Sequence, residues 1–148
     1  MNALSADASK NARPDTFDML VVHRVFKREL GLLPRLVRAV DAGDRSRAAT
    51  IAAHYGVVAD LLDHHRKGED ALIWPKLLER AKLKADVVHR MEAQHQVLHV
   101  LLDDSERLMT EWESDPSPER QASLVETLQQ LKAAAMEHLV DEERECSR

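Results

Sequence analysis

The chain has little of what builds sheets, sharp turns or cross-links. Among its 148 residues are 4 glycines, 5 prolines and one cysteine, and aromatic residues make up only 3%. So few turn formers leave no room for the many tight connections of an all-β fold. The single cysteine, Cys146, excludes an internal disulfide and, beside the end of the chain, reads as an ordinary tail thiol. No apolar run approaches the roughly 20 residues of a membrane span, so no membrane partner is expected. The first 13 residues are polar and lack the apolar stretch of a secretion signal, which points to the cytoplasm. There is no basic excess either. The formal net charge is −5, which does not suit a nucleic-acid partner.

What is abundant is Leu, Ala, Val, Glu and Arg, a mixture that favours helices. The length suits one domain with one core. Histidine is the outlier, with eight copies against a single tyrosine.

Residues 1–14 read as a disordered leader and 15–148 as one bundle. Asp15 or Thr16 caps a first helix running to about Asp41, and Pro34 within it predicts a kink or break near Gly31. The short connection Asp41–Asp44 turns the chain back into a second helix, from Asp44 or Ser46 to about Asp70. Trp74-Pro75 marks a break, with a short extra turn in 76–81. A third helix spans about Lys84 to Glu113. After the linker Ser114-Asp-Pro-Ser-Pro118, Ser117 caps a fourth helix with Pro118 in its first position, ending near Glu145. The fold class is therefore all-α: an antiparallel up-down-up-down four-helix bundle with a short extra turn between helices 2 and 3.

The chemistry centres on Asp63-His64-His65-Arg66-Lys67-Gly68-Glu69-Asp70. His65 and Glu69 are four apart and share a helical face with Val58, Leu61, Leu62, Leu72 and Ile73. A carboxylate on a core face needs a positive partner, and a metal ion with an imidazole co-ligand supplies one. Every other helix places similar groups on its apolar stripe. These are His23 in helix 1, His95 and His99 in helix 3, and His138 with Glu142 in helix 4. The His-x-x-x-Glu pair of helix 2 is thus echoed in helix 4. Each residue alone is compatible with a satisfied core histidine or a buried hydrogen-bonded pair; convergence from all four helices favours metal. Five imidazoles and two carboxylates exceed the needs of one ion and suit two, of iron, manganese, zinc or copper. A single structural zinc would leave histidines spare. A ferritin-like site would need a second Glu-x-x-His beside Glu92-x-x-His95, and Ala135 stands where it would be. His64 and His89 share faces with charged residues and read as solvated. His54 lies three turns from His65, too far for the same ion. Tyr55 reads as packing, with a channel-lining side chain or an extra phenolate as the alternatives, and Trp74 and Trp112 as packing at the bundle ends. Arg66-Lys67 and Asp141–Glu145 read as solvated charge.

With His23 in the first helix, His65-Arg-Lys-Gly-Glu69 followed by Asp70 and Trp74-Pro75, His95-Gln-Val-Leu-His99 and His138-Leu-Val-Asp-Glu142, the sequence resembles the hemerythrin-like HHE cation-binding family, from about 15 to 145. The resemblance implies two non-haem iron ions with an oxo or hydroxo bridge. His95, His99 and His138 would hold one, His23 and His65 the other, with Glu69 and Glu142 between them. The fourth-helix spacing departs from the His-x4-Asp of the oxygen carriers and looks like that of bacterial members, which puts reversible oxygen carriage in doubt. The expected function is binding of, or reaction with, a small oxidant (O₂, H₂O₂ or NO) in oxidative or nitrosative stress. That activity would be catalase- or peroxidase-like, or NO-detoxifying. The competing expectations are reversible O₂ or NO binding for sensing or storage, and iron storage or iron-centre repair. A monomer is expected, with no partner but the diatomic or peroxide ligand.

Overall fold

A computed structural model of the chain describes residues 16–75, 79 and 85–146. These form helix α1 (Thr16–Arg38), helix α2 (Arg45–Gly68), a π turn (Glu69–Ile73), helix α3 (Ala85–Ser114) and helix α4 (Pro118–Cys146). No described residue lies in a strand. The expected leader at 1–14 and, apart from Glu79, the expected extra turn at 76–81 fall outside the described residues.

Local chemistry accounts for where the helices start. Asp44 Oδ1 accepts the Arg47 N–H at 3.0 Å, and Ser117 Oγ accepts that of Arg120 at 3.3 Å. Each side chain satisfies one of the N–H groups left unpaired at a helix start. Between α1 and α2 the chain turns at Gly43, whose φ of 82° favours a residue without Cβ. The helix is not broken at Pro34: it is assigned without interruption from 16 to 38, with the proline inside it. Leu30, Leu33 and Val37, all buried, anchor both sides of the proline. Packing along that stripe outweighs one missing backbone donor.

Each helix packs against two others, in the ring α1–α2–α3–α4. The contacts join the start of one helix to the end of its neighbour. Gln121 at the start of α4 donates to the carbonyls of Val37 and Val40 at the end of α1. Arg45 at the start of α2 donates to the Ser114 carbonyl at the end of α3. The Gly43 N–H bonds the Pro116 carbonyl at 3.0 Å, so the two short loops touch. Among the described residues, no helix is long and apolar enough to cross a membrane.

The main core runs through all four helices, from Trp112 and Val40 near the loops to Phe26, Leu62, Leu98 and Leu139. On α3 the buried positions are 88, 91, 95, 98, 102, 105, 109 and 112, alternating steps of three and four. The π turn changes the pattern on the second segment. The Trp74 N–H bonds the carbonyl of Glu69, five residues back. That wider winding puts Glu69 and Trp74 inward together, at 3% and 2% exposure. Leu72 and Ile73, expected on the core face, are turned to solvent, as are Leu61 and Leu20. Arg66, expected among solvated charges, is buried and pairs with Asp63, because it falls on the seam between Leu62 and Glu69.

Candidate metal centre

Six buried or half-buried side chains converge at the end of the bundle away from the two short loops. His23 comes from the early turns of α1 and His65 from the last turn of α2. Glu69 opens the π turn, His95 sits in the third turn of α3, and His138 and Glu142 stand near the end of α4. Ligand atoms of Glu69, His95, His138 and Glu142 all lie within 4.8 Å of one another, as do those of His23, His65 and Glu142. Glu142 faces both groups: Oε1 is 3.4 Å from His23 Nε2, and Oε2 is 3.1 Å from His138 Nε2. Glu69 Oε1 is 3.2 Å from His65 Nε2 and 3.6 Å from His95 Nε2. Each carboxylate thus spans one histidine of the first hairpin and one of the second.

The seventh expected residue stands apart. The His99 side chain is 50% exposed and lies 3.4 Å from Asp103. Four residues advance a helix about 40° past a full turn, and with His95 centred on the seam that places His99 on its rim. The cluster therefore holds two histidines on each side, rather than the expected three and two. The remaining histidines sit elsewhere. His54 pairs with Glu29 at 2.7 Å, His64 donates to the Asp60 carbonyl, and His89 is exposed. Tyr55 is buried and donates to the Leu102 carbonyl. Burial pushes its phenol far above the usual range, which leaves it a packing residue and not a phenolate.

Hydrogen bonds on the outer side of the rings determine which way the lone pairs point. Asp141 accepts two hydrogen bonds from Arg90 and one from Gln94 Nε2. That fixes the Gln94 amide, so its Oε1 faces His138 Nδ1 at 2.7 Å and must accept from it. Asp70 Oδ1 accepts from His95 Nδ1 at 2.8 Å, and Glu143 Oε1 from His23 Nδ1 at 3.1 Å. With Nδ1 carrying the proton, the Nε2 atoms of His23, His95 and His138 present lone pairs inward. Those of His95 and His138 meet at 2.9 Å. Burial holds both His65 and His95 below the usual imidazole range and so keeps them neutral. Burial, then Glu142 beside it, pushes Glu69 far above the usual carboxylate range. Buried His23 Nε2, His65 Nε2, both Glu69 oxygens and Glu142 Oε2 have no hydrogen-bond partner.

Such a collection of inward-facing acceptors is unstable without positive charge among them. Imidazole nitrogens and carboxylate oxygens are also the donor set of first-row transition metals. The residues present therefore fit a cation site. A match to the family model described as Hemerythrin HHE cation binding domain covers residues 16–146. The chain belongs to the hemerythrin HHE cation-binding family. Neither the curated proteins nor the solved structures give a significant match. In this HHE domain the sequence pattern located six of the seven gathered or expected groups in the cluster, but not Asp70, Gln94 and Glu143 behind them. A signal for two of these was present: an acid follows each clustered glutamate, Asp70 after Glu69 and Glu143 after Glu142.

Proposed function

We propose that the chain is a non-haem di-iron protein that binds or reacts with a small oxidant, O₂, H₂O₂ or NO, in the bundle core. The observation that carries this reading is the placement of Glu69 and Glu142, each between two histidines that belong to opposite hairpins. His23 and His65 would hold one ion, His95 and His138 the other, with the two glutamates shared. Two iron ions, when bound, supply two electrons to a small oxidant. The chain's part is to hold and shield them. Asp70, Gln94 and Glu143 keep protons on the outer nitrogens, so the inner nitrogens stay available. Phe26 lies edge-on to His65 and Trp74 tilted against His95, with ring centroids 5.6 and 6.3 Å away, and they limit water. Two histidines and the two glutamates would be available to each ion, few enough protein groups to leave room for an outside ligand. The His65 side chain is 22% exposed, against 0–2% for the other three histidines, so a small molecule approaches along that edge.

Metal analysis tests the site and rapid mixing tests the chemistry. The expected content is close to two irons per chain; one zinc and no iron would overturn the reading. The reduced protein mixed in turn with O₂, H₂O₂ and NO should react with at least one. Sustained turnover with peroxide or NO marks an enzyme, and reversible binding marks a sensor or store. Inertness to all three would leave iron handling as the function.

A further inference from the structure

We infer that Asp70 and Glu143 are positioning residues that act crosswise, each holding one histidine of the opposite hairpin, His95 and His23 respectively, for a cation. The inference rests on the paired-cation reading above. Asp70 lies in the π turn that follows α2, yet holds His95 of α3 at 2.8 Å. Glu143 belongs to α4 yet holds His23 of α1 at 3.1 Å. In both places the acid directly follows a shared glutamate, so one short motif, Glu-Asp or Glu-Glu, does two jobs. Its first carboxylate faces the cations, and its second reaches around the outside of the neighbouring ring. A carboxylate accepts only, so each partner Nδ1 must carry the proton and each Nε2 must present its lone pair.

The two clamps differ in one respect. Lys27 Nζ donates to both Glu143 oxygens, at 3.0 and 3.2 Å. The corresponding position on α3 is His99, which turns to Asp103 instead. Lys27 thus shares the charge of Glu143, whereas the charge of Asp70 goes to His95. Asp70 is accordingly the stronger clamp and serves the His95–His138 cation; Glu143 serves the His23–His65 cation.

The test is a titration of the metal-free full-length chain with Co²⁺, followed by its visible absorption and by competition with a chelator. Wild type should take two ions. Asp70→Ala should weaken one of them by about 10–100-fold and leave the spectrum of the other in place. Glu143→Ala should weaken the other ion, by a smaller factor. Asp70→Asn keeps an acceptor oxygen and should recover most of the lost affinity, which a loss of mere bulk would not predict. Asp103→Ala, an equal loss of charge on the surface of α3, should leave both ions bound. The proposal is overturned if either alanine variant binds both ions with wild-type affinity, or if both variants lose the same ion. Wild type taking fewer than two Co²⁺ is a separate result, and it would overturn the paired-cation reading itself.

Discussion

The two hairpins, α1–α2 and α3–α4, carry one plan and finish it differently. Steps of 72 residues from α1 to α3 and of 73 from α2 to α4 superpose them along the sequence. His23, Phe26, Leu30, Leu33, Val37 and Val40 then fall on His95, Leu98, Leu102, Ser105, Met109 and Trp112, and all twelve are buried. The caps Asp44 and Ser117 correspond, as do His65 and His138, and Glu69 and Glu142. Behind the second histidines the plan diverges. His138 donates to Gln94, Gln94 donates to Asp141, and Asp141 is held in turn by Arg90. The positions matching Gln94 and Asp141 in the first hairpin are Val22 and Gly68, which cannot build that relay. His65 is left with one edge in solvent. The lesson is that matched histidines and glutamates need not have matched surroundings: the residues outside the rings create the difference.

Several substitutions break or sharpen the comparison. The largest effect belongs to what the halves share. Glu69→Ala and Glu142→Ala should each bring iron from about two per chain to nearly none; unchanged content in both, by elemental analysis, would mean the shared carboxylates are misplaced. Next comes the rim. His95→Ala should lose iron while His99→Ala keeps the wild-type amount, and equal loss in the two would return His99 to the ligand set. Trp112→Ala, at the loop end, should cost about 3–5 kcal/mol in urea unfolding yet leave iron content intact. Val22→Gln copies Gln94 into the first hairpin and offers His65 an outer acceptor. It should slow iron loss to a chelator by up to about 10-fold, and a faster loss would count against the explanation given for His65.

The smallest effect concerns acid. Hydrogen bonds from Arg90, then from Gln94, hold Asp141 below the usual carboxylate range despite its partial burial. The folded chain therefore releases that proton more readily than the unfolded one. The stability contributed is present above about pH 3.9 and is lost as pH falls through the folded value. Asp141→Asn should be less stable than wild type at neutral pH, with the two unfolding curves converging in acid. A gap that stays constant down to pH 2 would remove the ionic part of this account.

Much of this was legible before any coordinates. Helix number and most ends followed from apolar spacing, Asp44, Ser117 and the Pro-rich linker, because those signals act within a few residues. The converging histidines and glutamates were legible too, because helical spacing alone puts each on an inward face. His99 was not, since a four-residue step lies between facing the core and facing water. Leu72 and Ile73 face solvent for a different reason. An α-helical period places them inward, but the segment is wound as a π turn, and the five-residue hydrogen bond has no sequence signature in Glu-Asp-Ala-Leu-Ile. The outer acceptors depend on contacts between distant helices: the acids after Glu69 and Glu142 hint at Asp70 and Glu143, but local pattern does not say which ring each meets, and it gives no sign of Gln94.

Neither hairpin closes a cation position by itself, because each glutamate serves nitrogens on both. Bound metal would act as a weld along the plane where the halves meet, adding its binding free energy to the native state alone. A chain deprived of metal would part first along that plane, and it would be cut sooner by proteases than its loaded counterpart. Metal supply would then govern how long each molecule survives as well as what it can do.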